Sequence, residues 1–441
     1  MRVGTVLVVL LVCAGRARAQ SIDASLEPLT LAALEQLALA NNPTVAGAQA
    51  AVDAARGRAR QAGAWPNPTL GFSGEELTPR RTDPRGEHGF FVEQTIPLGG
   101  KRGLSRDVFD RAAESAQAGV DLQRQRIVSS VRRLFYQTLT AERRVEVHEG
   151  LAILVSDAVG VTAQLFNVGA ADRPDFLETE VEAARVQLAL NAARNEVFAL
   201  RQQLAAVAGR LDVASRPLSG SIDELIPEME RDSTIRAIVE ESPQMRAVRT
   251  NVARARALTA RARRETFPDL FIRGGAAYNR ERGDVTGQPI GWEGLAEVGI
   301  SVPLFDRNQG GIAAARADET RAESEVRRLE LSLRAAAAAQ FATYLTAIRG
   351  MELYRTAILP RAEEAYRLYL ARYREMGAAY PQVLVAQRTL FEMSREYLEA
   401  VDRAWRSALA LQSGLAGDGL ASPAAAPGDE PPAGHIEGRE R

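Results

Sequence analysis

Apolar residues change their period along the chain, and the changes recur in a fixed order. From Phe90 to Ile96 the period is two: Phe90, Val92 and Ile96 fall on one side, Phe91, Glu93 and Thr95 on the other. The alternation returns where Ala296, Val298, Ile300 and Val302 oppose Leu295, Glu297, Gly299 and Ser301. After Pro97 the period lengthens, and no further proline occurs until Pro174. Ile127, Val131, Leu134, Phe135 and Leu139 recur at helical spacing, with arginine and glutamate between them. These patterns predict strands at Thr69 to Leu77, His88 to Ile96, Leu270 to Asn279 and Leu295 to Val302. Long helices are expected at Lys101 to Asn167 and Gln309 to Glu375, each roughly 100 Å long at helical rise. Helices of that length need partners along their whole course. Pro360 falls inside the second and is expected to kink it.

The order repeats. "NNPTVAGAQA" (41–50) answers to "ESPQMRAVRT" (241–250), and "WPNPTL" (65–70) to "TFPDLF" (266–271). "QTIPLGGKR" (94–102) answers to "GISVPLFDR" (299–307), and "LFNVGAADRP" (165–174) to "YREMGAAYPQ" (373–382). The offset drifts only from about 200 to about 208 residues, so one unit is used twice. The first runs over 20–220, with its hairpin at 69–96, long helix at 101–167 and return helix at 174–210. The second runs over 221–417, with hairpin 270–302, long helix 309–375 and return helix 381–416. A Pro/Ala/Gly-rich tail, 418–441, is expected to be disordered.

Each unit passes directly from a strand into a helix. Pro97 and Pro303 end the strands by removing a backbone donor. Gly99–Gly100 and Gly310–Gly311 are the residues expected to permit the bend.

The N-terminus has the composition of an export signal: Arg2, an apolar run from Val6 to Val12, and Ala17-Arg18-Ala19 as a cleavage site, giving a signal peptide over 1–19. Acylation at Cys13 is the alternative; cleavage after Ala19 would leave the mature chain without cysteine, and so without disulfides or thiol catalysis. The net charge of -1 favours neither nucleic acid nor an anionic membrane surface. Beyond the leader, no stretch is expected to reach the ~20 apolar residues of a spanning helix. A membrane-crossing role therefore falls to the strands, and exposed strand edges are not tolerated in lipid. Four strands per chain are too few to close a hollow barrel, so closure requires several copies.

These residues carry a resemblance. "ANNP", "WPNPTL", the two "PL" junctions and the glycine-marked hairpin tips resemble the TolC-type outer-membrane efflux family over about 29–417. "QTIPLGGKR" and "ADRPDFLETEVE" are most similar to its heavy-metal, CzcC/CusC-like branch. The fold class this implies is mainly α with a β-barrel portion: three chains share a twelve-strand barrel in outer-membrane lipid, set on a long helical periplasmic tunnel. The function implied is passive export of heavy-metal cations in a tripartite system, with a periplasmic adaptor and an inner-membrane pump of the RND type. Multidrug efflux and type I secretion keep the same architecture. A periplasmic coiled-coil scaffold with a small soluble sheet is the reading from a different class.

By resemblance, a constriction lies near the second tip at Gln382 and Val385, neither of which is acidic. The first tip instead offers Asp172, Asp175 and Glu178, the last two on one helical face. Three copies would make a cation-attracting ring; the alternative is ordinary acids at a helix N-terminus. The small tips, Gly169-Ala170-Ala171 and Gly377-Ala378-Ala379, would admit an adaptor's helical hairpin. No enzyme constellation, cofactor motif or metal-ligand spacing is present; His88, His148 and His435 are far apart in the sequence.

Overall fold

The structure, a computed structural model, describes residues 27–75, 86–169, 172–222, 226–282, 289–375 and 380–422. The leader, with Cys13 and the Ala19 cleavage site, lies outside the described residues, as do Ala170, Ala171, Gly377, Ala378 and Ala379.

The first repeat comprises β1 (Leu29–Thr30), α1 (Leu31–Asn41), α2 (Pro43–Ala62), β2 (Thr69–Glu75), β3 (Glu87–Pro97), α3 (Lys101–Asn167) and α4 (Arg173–Ala208). After β4 (Leu218–Ser219), the second comprises α5 (Arg231–Glu241), α6 (Pro243–Arg264), β5 (Asp269–Arg282), β6 (Pro289–Ser301), α7 (Gln309–Leu353), α8 (Leu359–Arg374) and α9 (Tyr380–Gln412). The two helix entries are chemically alike. Asn42 caps α2 by accepting from Thr44 N, and Ser242 caps α6 by accepting from Met245 N. Pro43 and Pro243 each open their helix, where the missing N–H costs no hydrogen bond.

The helices form a layer centred on α3, which packs against α2, α4, α6 and α9. Ile127, Val131, Leu134, Phe135 and Leu139 are all buried, against Leu34 and Ala38 of α1, Leu204 of α4 and Val401 of α9. Each such aliphatic or aromatic side chain contributes roughly 1.5–3 kcal/mol on burial. Tyr136 stacks on Trp405 at 3.7 Å, and the Trp405 indole donates to the Ile222 carbonyl. A second core lies around Met245, Leu333, Phe341 and Leu411, with the Tyr344 hydroxyl donating to Pro227 O at 2.8 Å.

Below this waist α3 and α4 run as an antiparallel hairpin joined by inter-helix ion pairs, Arg201–Glu142 and Arg194–Glu149, each at 2.7 Å. The exposed Arg194–Glu149 pair contributes about 0–1 kcal/mol, so it orders the register more than it stabilises it; Arg201–Glu142 is half-buried. The expectation of no spanning-length apolar stretch is corrected in composition only: α3 contains an 18-residue window of mean hydropathy 1.3, on a helix that packs against α2, α4, α6 and α9. Ile153, Leu154, Val161 and Phe166 of this helix are exposed.

The second long helix continues from Gln309 to Arg374 through a widened π turn at Tyr354–Ile358. Pro360 can donate no hydrogen bond, and the π turn immediately before it takes up the irregularity. The Tyr354 hydroxyl, held by Glu396 at 2.6 Å, fixes that turn to α9.

Residues 418–422, expected to belong to a disordered tail, are instead packed on the helices. Gly419 N donates to Ser130 Oγ and Gly419 O accepts from Gln123 Nε2, both at 2.8 Å, so the chain remains packed on α3 past the end of α9. Residues 423–441 lie outside the described residues.

The four long strands form one antiparallel sheet in the order β2-β3-β5-β6. β6 begins at Pro289 rather than Leu295, and β5 runs past Asn279 through a register shift. Among the described residues both outer strands, β2 and β6, keep a free edge.

Candidate functional site

The pairing register sorts the sheet into two faces, because residues directly opposite across antiparallel strands point the same way. Leu70 pairs with Val92 and Phe72 with Phe90; Ile272 pairs with Val298, Leu270 with Ile300 and Tyr278 with Trp292. This face is apolar and uncovered: Leu70 is 76% exposed, Trp292 72% and Val298 69%. Burying such a surface requires lipid or another protein.

The opposite face is acidic. One row reads Thr69, Glu93, Arg273, Glu297, and another Glu75, Glu87, Asn279, Gly291. With Glu293 and Asp269, six carboxylates share this face with Arg273, the one arginine of the regular ladder. Arg273 lies over the Phe91 ring at 3.7 Å and 3.9 Å from Glu297, so it is held against the wall. Phe91 lies flat because Gly71 faces it: a Cβ at Gly71 would stand 2.3 Å from the ring. The alternation of β3 and β6 was legible in the sequence; the total of six acids was not, because it depends on which strands pair and in what register.

The two strand-helix junctions are built differently. At the first, Gly99 and Gly100 take φ of 68° and 73°, the left-handed region that glycine enters without strain. Lys101 is buried and reaches Asp269 of β5 at 2.8 Å, while Arg102 lies over Trp65 at 3.7 Å. The first junction is thus tied to a strand of the other repeat. At the second, the expected role of Gly310–Gly311 is corrected: both lie in the first turn of α7, and the left-handed residue is Asn308, φ 55°. Asparagine tolerates that conformation better than most residues. The Asn308 side chain donates to Ala262 O at 3.0 Å and folds over Gly311, where a Cβ would clash with it at 2.1 Å. Pro97 ends β3, and Pro303 follows two residues after β6.

At the first hairpin tip Gly169 takes φ of 75°, and Phe166 and Phe176 stack at 5.8 Å across the turn. Asp172 is the N-cap residue of α4 without a side-chain cap bond; Asp175 lies in the first turn and Glu178 is exposed on the next. Gln382 and Val385 are exposed on the start of α9. Arg388 meets Glu182 at 3.1 Å, about one turn beyond both Glu178 and Val385, so α4 and α9 run side by side at this level. Among the described residues no group of three or more histidine, cysteine or carboxylate side chains is arranged to hold a metal ion.

The chain matches the profile of the family described as "Outer membrane efflux protein" over residues 34–210 and 234–417, one segment in each repeat. It is 28% identical over 385 residues to the cobalt-zinc-cadmium resistance protein CzcC of Cupriavidus metallidurans, covering 86% of this chain and 88% of that protein. It is 29% identical to the nickel-cobalt-cadmium resistance protein NccC of Alcaligenes xylosoxydans xylosoxydans, over 70% of this chain and 69% of that one. Among solved structures its fold is shared with a Pseudomonas aeruginosa membrane protein, at TM-score 0.75 and 20% identity over 89% of this chain and 93% of that one. It is shared equally with CusC, at TM-score 0.74 and 15% identity over 88% and 92%. An uncovered apolar sheet face backed by an acidic one, set on long paired helices in both matched repeats, belongs to a channel and not to a periplasmic scaffold: the chain is a member of the outer membrane efflux protein family, a conduit in the outer membrane whose helices extend into the periplasm.

Proposed function

We propose that three copies of the chain close their four-stranded sheets into one twelve-strand barrel and export divalent heavy-metal cations through it. The two free edges of the sheet support closure by further copies, since unpaired strand edges cannot lie in lipid. The observation that carries the cation reading is the paired register, which puts six carboxylates on the face turned away from the apolar one, with Lys101 on Asp269 and Arg273 beside Glu297 as the cations that meet them. In a closed barrel that face lines the lumen, where rings of like charge raise the local concentration of counter-ions. The resistance to cobalt, zinc, cadmium and nickel in the names of its relatives points to the same class of cargo.

Such a channel supplies a path and no energy. Its work depends on an inner-membrane pump, of the RND type by family, and on a periplasmic adaptor docking at tips that include Gly169, Ala170, Ala171, Gly377, Ala378 and Ala379. Asp172, Asp175 and Glu178 would then contribute a second, smaller cation-attracting ring at the entrance, level with Gln382 and Val385. Growth of a deletion strain on zinc, cobalt, nickel and cadmium, beside dyes and detergents, tests the cargo. Selective metal sensitivity restored by the gene is the expected result. Sensitivity to dyes and detergents alone would assign the channel to multidrug export.

A further inference from the structure

Between α3, α4 and α9, about six turns above the first hairpin tip, the helices leave a cavity of about 450 Å³. Its wall divides into two kinds of surface. Val186 and Leu398 are buried at its base, and Val147, Leu151 and Phe391 extend the apolar side. The other side carries Arg144, Arg185, Arg388 and Arg395 against only two carboxylates, Glu182 and Glu392.

With Glu196, which pairs with Arg144, three carboxylates meet the four cations and leave one positive charge in surplus. Glu182 is engaged by Arg388 at 3.1 Å and lies 3.8 Å from Arg185, while Arg144 is turned to Glu196 at 2.6 Å. Arg395 has no ion pair among the described residues. Within the cavity wall, His148 Nδ1 and Arg144 Nε are buried and have no hydrogen-bond partner. Burial, with Arg144 and Arg395 nearby, holds the His148 imidazole below its ordinary pKa. Buried polar nitrogens in a surplus of positive charge lack an acceptor, and an apolar base beside them gives a small hydrated anion little to bind.

We propose that this cavity binds an amphipathic carboxylate, its head accepting hydrogen bonds from His148, Arg144 and Arg395 and its aliphatic body lying on Val147, Leu151 and Phe391. The arginines supply the charge-assisted bonds that carboxylates favour. The ligand would bridge both helical hairpins of one chain, since α3 and α4 belong to the first repeat and α9 to the second.

The test uses the full-length channel in lipid nanodiscs and a decanoate bearing a terminal diazirine as the probe. Photolysis is expected to label peptides containing Val147–Leu151 and Phe391, with displacement by unlabelled decanoate and none by decanol. Arg395→Gln, which removes no ion pair among the described residues, should lower that labelling about tenfold, the effect of one charge-assisted hydrogen bond. Labelling spread evenly along the helices, displacement by decanol as effective as by decanoate, or labelling unchanged in Arg395→Gln would each overturn the proposal. The decanol competition uses the unaltered protein, so it decides the matter even if the variant folds poorly.

Discussion

The sheet and the first hairpin tip both gather carboxylates, but they hold them differently. In the sheet, Glu93 and Glu297 stand in one cross-strand row with Arg273 between them, fixed by backbone pairing on both sides. At the tip, Asp172, Asp175 and Glu178 are spread over the first turns of α4, where the helix dipole already favours negative charge. Acids at a helix start have a local reason to be there. In the sheet only Asp269, held by Lys101, and Glu297, beside Arg273, have such a reason; Glu75 lies directly opposite Glu87, and like charges across a strand pair are destabilising. The sheet therefore bears a cost that a function must offset, which makes it the stronger candidate for selecting cations.

Breaking the row should have the largest effect. Glu93→Gln with Glu297→Gln leaves Arg273 uncompensated in every copy, and cation preference in bilayer recordings should fall on the order of tenfold. Next in size is the junction that ties β5 to α3. Lys101→Met removes the counter-charge of Asp269, leaving it only the bond from Leu98 N, and should lower stability by about 1–3 kcal/mol, read as an earlier thermal transition of the assembled protein. Asn308→Ala at the second junction should cost about 1–2 kcal/mol, from the left-handed backbone and the lost bond to Ala262. Because Lys101 joins the two repeats while Asn308 joins neighbouring elements of one, the first variant should also slow assembly and the second should not.

The tip acids come lower. Asp175→Ala with Glu178→Ala should change selectivity less than about twofold if helix-end placement explains them. A shift as large as that of the sheet variant would instead make the tip the filter. The smallest effect concerns pH. His148 is held below its ordinary value of 6.5, chiefly by burial, so the unfolded chain binds the proton more readily. Stability should accordingly decline as pH falls through and below about 6.5. His148→Phe should lose part of that decline in melting curves taken between pH 7.5 and 5.5.

Much of this was legible in the sequence where one element carries its own signal. The alternation of Phe90 to Ile96 separates the faces of β3 without any partner, and the buried run from Ile127 to Leu139 marks the core face of α3. What the sequence hid depends on distant pairing. Glu75, Glu87, Glu93, Asp269, Glu293 and Glu297 become one acidic surface only through the register of four strands. The start of the tail docks through Gln123 and Ser130, which lie almost 300 residues earlier. The sequence points to Gly310 and Gly311 for the bend, yet a neighbouring asparagine takes the left-handed conformation, and Gly311 serves to admit its side chain. The strand beginning at Pro289 was missed because Pro289, Gly291 and Gly294 look like turn residues out of context.

The most direct test of the account is the reversal potential of the purified channel in a planar bilayer under a salt gradient, compared with that of the Glu93→Gln/Glu297→Gln variant. The account predicts clear cation selectivity in the native channel and a marked loss of it in the variant. A native channel that favours anions, or a variant whose reversal potential is unchanged, would contradict the assignment of the acidic sheet face to the conducting lumen.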